Sequence, residues 1–348
     1  MNEREVRWAV VGAGDIVRKR AGEAILEQPQ SALHACVEVD PEGKKETIEF
    51  LRPKRVYTEI GQMTADADID AVYIATPVHL HAEQAIAAME AGKDVLVEKP
   101  MARDPVEAQR MCRVAEKTGR RLAVAYFRRF SPRFELAKRM LDEGAFGTVV
   151  LVRIAVHSWY EGRPGGWREQ RECSGGGVLS DVGVHKFDLL AWWFGLPRRV
   201  VADVGTLVHG YCVEDSSTIL MHYDDGMQVS ASFHWNSKTW TDEIHIVGTD
   251  AKLTLHPADG TEAFITVGRD TEKVEAPNPV NLHAPLIDDF ARSIIENRPP
   301  RFNGRDGSAA GVLMDAVYRS ARIGAWVELE SGGPGGPGRG PCRGEHRS

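Results

Sequence analysis

The sequence predicts an α/β protein: a doubly wound parallel sheet in the N-terminal part, then a second α/β unit built on an open, mainly antiparallel sheet. Three observations carry this. Short apolar, β-branched runs alternate with helical stretches from residue 6 to about 125, the pattern of successive βα units. Central runs end at glycine, proline or charged residues, where a strand must stop. From residue 216 on, runs of period-two alternation meet across hairpin signals with no helix between them. At 348 residues the chain is too long for one core and suits two. The expected units are residues 1–125 and 126–330, with a Gly/Pro-rich tail over 331–348 that cannot bury enough apolar surface to offset its chain entropy.

Composition narrows the class. A hydrophobic content of 43% and a charged content of 27% are ordinary for a globular protein, and no apolar run approaches a membrane span. The charged start Met1-Asn2-Glu3-Arg4-Glu5 leads straight into a strand without a signal-peptide core, so a cytoplasmic location is expected. The five cysteines are scattered and never spaced as Cys-x-x-Cys, which reads as reduced thiols. A net charge of −7 argues against broad binding to a nucleic-acid backbone.

The first strand, over 6–11, ends in Gly12-Ala13-Gly14-Asp15-Ile16-Val17. Gly12 permits the tight turn and Gly14 lets backbone approach a pyrophosphate resting on the N-terminus of the next helix, expected over 18–28. Val17 takes the third glycine position, so close packing there must tolerate a branched side chain. A second strand over 32–37 ends in Glu38, 26 residues after Gly12, near the spacing of a ribose-binding carboxylate. Asp40 is its rival, but falls in the loop before Pro41. A carboxylate at this point repels a 2′-phosphate and favours NAD over NADP, with Arg18, Lys44 and Lys45 able to soften the preference.

A buried strand over 70–75 runs into Thr76-Pro77-Val78-His79-Leu80-His81, and a helix over 82–91 closes at Gly92. The strand over 95–97 then runs into Glu98-Lys99-Pro100, which places Lys99 at the carboxyl edge of the sheet, where open α/β sheets bind ligands. A helix over 104–118, stopped by Gly119, and a strand over 122–125 complete a doubly wound sheet of six βα-type elements.

Taken together, Gly12-x-Gly14, Ala75-Thr76-Pro77 with His81, Glu98-Lys99-Pro100, Tyr126-Phe127-Arg128-Arg129-Phe130 and Gly175-Gly176-Gly177-x-x-x-Asp181-x-x-x-His185 resemble the glucose-fructose oxidoreductase/inositol dehydrogenase/MocA family. Asp288-Asp289-Phe290 and residues 316–321 resemble its closing helices, so the likeness covers about residues 5–330. It implies a Rossmann domain, a second α/β domain whose free sheet face builds dimers or tetramers, a nicotinamide cofactor, and sugar or cyclitol substrates. Cofactor contacts are expected from Gly12, Gly14, Asp15, Ile16, Glu38, Thr76, Pro77, His81, Glu98 and Lys99, and substrate contacts from Tyr126, Arg128 and His185. Two departures stand out: Val17 replaces a small residue, and Val78 stands where many members place asparagine.

In the second unit, a helix over 132–144 leads to a strand over 148–157 and a loop over 161–168 rich in turn formers and basic groups, placed to cover the crevice. Trp159, Trp167 and Arg168 are its candidate substrate contacts, since a tryptophan face can carry the C–H face of a sugar ring. Ser174-Gly175-Gly176-Gly177 opens a helix over 178–194 on which Asp181 and His185, four apart, share a face. No third and fourth ligand at suitable spacing accompany them, so no metal is expected. Hairpins are expected over 216–233 and 243–255.

The expected chemistry is reversible oxidation of a secondary alcohol on a polyol or sugar ring, with His185 as base and Asp181 either orienting it or gripping a neighbouring hydroxyl. Lys99 stabilises the developing alkoxide; a rival assignment makes Lys99 the proton carrier, aided by Tyr126. Two other classes fit the same residues: a glycosidase or lyase that uses transient oxidation by NAD, and a non-catalytic NAD-binding regulator.

Overall fold

In a computed structural model, which describes residues 5–162 and 165–329, the apolar runs of the N-terminal part form one six-stranded parallel sheet. Its strands are β1 (Val6–Val11), β2 (Ser31–Val37), β3 (Arg55–Tyr57), β4 (Ala71–Ile74), β5 (Asp94–Val97) and β6 (Leu122–Val124), in the order β3-β2-β1-β4-β5-β6. Strands β4, β5 and β6 are buried throughout, because helices cover both faces of a parallel sheet. The order reverses between β1 and β4, so a crevice opens beyond their carboxyl ends. The edge strand β3 carries no readable apolar run; it has three residues, and none is buried.

The second sheet has nine strands: β7 (Val149–Trp159), β8 (Arg199–Gly205), β9 (Ser216–His222), β10 (Gln228–His234), β11 (Asn236–Gly248), β12 (Ala251–Leu255), β13 (Glu262–Val267), β14 (Asp270–Glu275) and β15 (Val327–Glu328). They run in the order β14-β13-β12-β11-β7-β10-β9-β8-β15, antiparallel at every pair except β10 with β7. Period-two alternation sorts the side chains. Val152, Ile154, Ile219, Met221, Ala231, Phe233, Ile244 and Ile246 are buried under helices Val184–Phe194 and Gly304–Ile323. Their neighbours Thr218, Leu220 and Arg153 are exposed on the other face.

Two local features differ from the sequence expectation. The helix after Gly14 starts at Asp15 and contains a π turn over Val17–Ala21 before regular helix resumes at Gly22–Glu27. Val17 is thereby fully buried, and the close approach falls to Gly22, where an added Cβ would meet Val17 O at 2.6 Å and Leu51 Cδ2 at 2.7 Å. Helix Ala284–Ile295, expected in the second unit, packs on the first: Leu286, Ile287 and Phe290 share a core with Val6, Trp8 and Val10, and Gln28 donates to Asp288 Oδ1 at 2.8 Å. The chain therefore returns to the first sheet after building the second. The expected tail over 331–348 lies outside the described residues.

Candidate active site

The turn after β1 is made by a φ of +90° at Gly12, where an added Cβ would stand 3.0 Å from both Ala75 O and Thr76 Cγ2. Only glycine fits that combination of left-handed backbone and close approach. Gly14 is open by contrast, its nearest neighbour to an added Cβ being Ala75 O at 4.0 Å. Glu38, at the end of β2, is buried and accepts from Ala13 N at 2.8 Å and Asp40 N at 3.1 Å. Asp40 is exposed and accepts from Gly43 N in its own turn. A tight glycine turn, open backbone at Gly14, a helix beginning at Asp15 and a carboxylate at the second strand's end suit the pyrophosphate and ribose of a dinucleotide. Asp15 is exposed and accepts from Lys19, and Ile16 is half-buried beside it.

Beyond β4 and β5, several residues expected at the cofactor turn into protein. Both ring nitrogens of the buried His81 face backbone carbonyls, Nε2 to Thr76 O at 2.8 Å and Nδ1 to Pro100 O at 3.0 Å. His81 therefore ties the Thr76-Pro77 loop to the Lys99-Pro100 turn instead of reaching outward. The Glu98 carboxylate points inward as well. It accepts from Tyr73 Oη at 2.5 Å and Lys99 N at 3.1 Å, with His283 Nε2 at 3.6 Å. Burial alone would raise its pKa, but His283, Tyr73 and Lys99 together hold it below the usual carboxylate range. His283 carries no readable motif; only its position in the fold reveals it. Thr76 donates through Oγ1 to Gln84 at 2.6 Å.

Lys99 crosses the crevice. Its Nζ donates to Asp181 O at 2.8 Å and Asp181 Oδ1 at 3.0 Å, joining the edge of the first sheet to the second unit. The expected i,i+4 pairing of Asp181 with His185 does not form. Residues Leu179–Gly183 make a π turn ahead of helix Val184–Phe194, so regular α-helical spacing does not apply across the two, and Asp181 bonds Lys99 instead. Arg168 Nε adds a second cation 3.9 Å from Asp181 Oδ1. Burial pushes the Asp181 carboxyl up, yet Lys99, Arg168 and Arg128 outweigh it and the net displacement is downward.

His185 is buried, with the Tyr126 and Phe127 rings edge-on at 6.1 and 5.6 Å, and its Nδ1 has no hydrogen-bond partner. Burial, then the cations Arg128, Lys99 and Lys186, hold its pKa well below the usual imidazole value, so the ring is neutral near pH 7 and able to take a proton. Burial keeps the Tyr126 phenol protonated far above its normal range.

Next to this group lies a cavity of about 360 Å³ bordered by Arg128, Val156, Val182, Lys186, Trp240 and Asp242. Trp159 does not face it. Val156 and Ser158 line the cavity, so strand alternation sends Trp159 to the other face of β7, where it meets the His209 ring at 4.8 Å and Lys238 Nζ at 4.8 Å. Trp167 carries the Arg168 guanidinium over its ring at 4.6 Å and so borders the site through Arg168. Trp240, Lys186, Asp242 and Asp259 escaped sequence reading, because isolated residues on a late strand, a helix and a loop carry no motif.

A glycine-turn dinucleotide cradle joined by a lysine bridge to a half-buried acid, with a neutral histidine nearby, defines a two-domain, NAD(P)-dependent oxidoreductase. Sequence comparison agrees: residues 6–126 match the family described as an oxidoreductase family with an NAD-binding Rossmann fold, and residues 134–254 match the GFO/IDH/MocA C-terminal domain. The chain belongs to the Gfo/Idh/MocA family. It is 39% identical over 317 residues to levoglucosan dehydrogenase of Pseudarthrobacter phenanthrenivorans, spanning 76% of this chain and 81% of that one. It is 27% identical over 334 residues to inositol 2-dehydrogenase of Rhizobium meliloti, spanning 90% and 96%. Among solved structures, aldose-aldose oxidoreductase from Caulobacter crescentus complexed with glycerol superposes with a TM-score of 0.86 at 27% identity, covering 94% of this chain and all of that one.

Proposed function

We propose that the protein transfers hydride between NAD and a secondary alcohol or ketone carbon of a sugar or cyclitol ring. The observation that carries this reading is the Lys99–Asp181 bridge at the carboxyl edge of the first sheet, with a neutral, buried His185 near enough for Arg128 and Lys99 to lower its pKa, and Arg128 in turn bordering a cavity with polar walls. The similarity to a levoglucosan dehydrogenase and an inositol dehydrogenase supports the substrate class. The nicotinamide, when bound, supplies the hydride acceptor or donor. The chain's own residues manage the proton: His185 accepts it from the hydroxyl, Lys99 holds the oxygen by its ammonium group, and Asp181 fixes that ammonium through two hydrogen bonds. The uncovered face of the nine-stranded sheet, with Leu220 exposed on it, is the surface we assign to a homodimer or tetramer.

Scanning levoglucosan, myo-inositol, D-xylose and 1,5-anhydro sugars for net NADH, beside nitrophenyl glycosides for nitrophenol release, tests the reaction; nitrophenol release without NADH from any sugar would overturn it. His185→Asn should lower kcat by about 10²- to 10⁴-fold, the usual span for a lost proton carrier. The pH profile has a definite sign. Because the folded pKa of His185 lies below the free value of about 6.5, the acid limb of kcat/KM for alcohol oxidation should fall below that pH. The same displacement makes the stability contribution of this residue complete above pH 6.5 and lost as pH drops toward the folded value. An acid limb at or above pH 6.5 would remove His185 from the role.

Cofactor choice follows from Glu38. Its buried carboxylate already holds the glycine turn through Ala13 N, and its charge opposes a 2′-phosphate. Glu38→Ser should raise the NADP to NAD ratio of kcat/KM by roughly tenfold or more, about 1.4 kcal/mol. An unchanged ratio would show that another group discriminates.

A further inference from the structure

The cavity beside His185 has charged walls that the proton chemistry above does not use. Lys186 follows His185 on helix Val184–Phe194 and is only 2% exposed, yet its Nζ has no hydrogen-bond partner. Asp242 on β11 faces it across 2.8 Å, buried too, and the two form an ion pair without the alignment of a hydrogen bond, so hydrogen-bonding capacity on Asp242 Oδ1 is unused as well. At the other end, Arg128 is held by Asp259 through Nε at 2.9 Å while its buried Nη1 has no partner. The four charges cancel, two cations against two carboxylates. Val156 and Val182 supply apolar wall, and the exposed Trp240 stands at the edge.

Buried donors and acceptors without partners are costly unless a ligand meets them. An anionic group would add a negative charge to a cluster whose cations are already neutralised by Asp242 and Asp259, and would stand beside those two carboxylates. A neutral polyol brings no such charge, and each of its hydroxyls both donates and accepts. We propose that Lys186 and Asp242 form a specificity subsite that reads two neighbouring hydroxyls of a neutral sugar or cyclitol ring, with Arg128 Nη1 as a third donor, and that this subsite rejects acidic sugars. The inference deepens the hydride-transfer reading and rests on it for its kinetic arm alone. One hydroxyl accepts from Lys186 Nζ while its neighbour donates to Asp242 Oδ1; both groups keep their charge. Arg128, which borders the cavity and whose charge also reaches His185, links the subsite to the proton carrier.

The test uses the full chain with levoglucosan, myo-inositol and D-xylose as neutral probes, and D-glucuronate and D-galacturonate as acidic ones. Two readouts run in parallel: NADH formation, and the sugar-dependent rise in Tm of the NADH-loaded protein. The double variant Lys186→Met with Asp242→Asn removes both charges together, so neither is left unpaired. It should raise KM for the neutral substrate at least tenfold with a smaller fall in kcat, the mark of a binding contact remote from the reacting bond, and should abolish the Tm response. Asp242→Asn alone leaves Lys186 uncompensated and should raise the uronate to neutral-ring ratio of kcat/KM at least tenfold. Val182→Phe fills the cavity without touching a charge, so it tests the same seat should the double variant fail to fold; it too should raise KM.

An unchanged KM in a folded double variant, or in Val182→Phe, overturns the subsite. A wild type that prefers uronates overturns it while NADH formation leaves hydride transfer standing. A Tm response to neutral sugars that the double variant loses, without NADH from any of them, upholds the subsite and overturns hydride transfer. No response to any sugar in either readout overturns both.

Discussion

Lys99→Met should lower kcat/KM for the sugar by about a thousandfold while NADH affinity, followed by fluorescence, stays within a few-fold of the wild type. Two effects compound in the substitution. The developing alkoxide loses a preorganised cation, a loss worth roughly 10²- to 10³-fold in comparable sites. Asp181 loses both hydrogen bonds from Lys99 Nζ, and with them the strongest of the charges that hold its carboxyl down against burial. Arg168, at 3.9 Å, is then the nearest cation left to it. The dinucleotide cradle is untouched, since Gly12, Gly14 and Glu38 belong to the turn after β1 and the end of β2. Lys99→Arg should not restore turnover, because a planar guanidinium cannot replace a compact ammonium between the Asp181 carbonyl and carboxylate. Turnover within tenfold of wild type in Lys99→Met would dismiss the lysine from the chemistry.

The first sheet was legible because its signals are local. A buried strand running into Gly12-x-Gly14, or into Glu98-Lys99-Pro100, marks both the element and the crevice at its end. The hairpin through Asp224-Asp225-Gly226 was legible for the same reason: Gly226 takes a φ of +88° in the turn, and Tyr223 N donates to Met227 O across it. What sequence could not give is orientation. His81 and Glu98 stand beside the crevice by position, yet the carbonyls of Thr76 and Pro100, and Tyr73 with His283, turn both side chains inward. Spacing placed Asp181 and His185 on a regular helix, and one π turn redirected Asp181 to Lys99. Alternation along β7 would have put Trp159 opposite Val156, had the strand's inner face been known from sequence. Helix Ala284–Ile295 fails for the most general reason: an amphipathic pattern says that a face is buried, not which sheet buries it.

Breaking the Arg129–Asp188 pair, in the junction between the protein's two units, should destabilise it by about 3 to 5 kcal/mol. Arg129 follows the site residues Tyr126 and Arg128 and donates from Nε to Asp188 Oδ2 at 2.9 Å, from Nη2 to Asp188 Oδ1 at 2.7 Å, and from Nη2 to Asp306 O at 3.2 Å. Both side chains are almost wholly buried, at 4% and 1% exposure, so solvent cannot compensate whichever charge is left. One arginine thus fixes the segment after β6 to helix Val184–Phe194, which carries His185, and to helix Gly304–Ile323. Asp188→Asn and Arg129→Met should each lower Tm markedly and, by freeing that segment, lower kcat as well. The combined Arg129→Met, Asp188→Leu protein should recover much of the lost stability, since the cost lies in an unpaired buried charge rather than in the absence of a pair. Recovery of Tm without recovery of kcat would show that the pair positions Arg128 and His185 as well as holding the fold. A single variant that unfolds at the wild-type temperature would show that water reaches the site and that the pair fixes nothing.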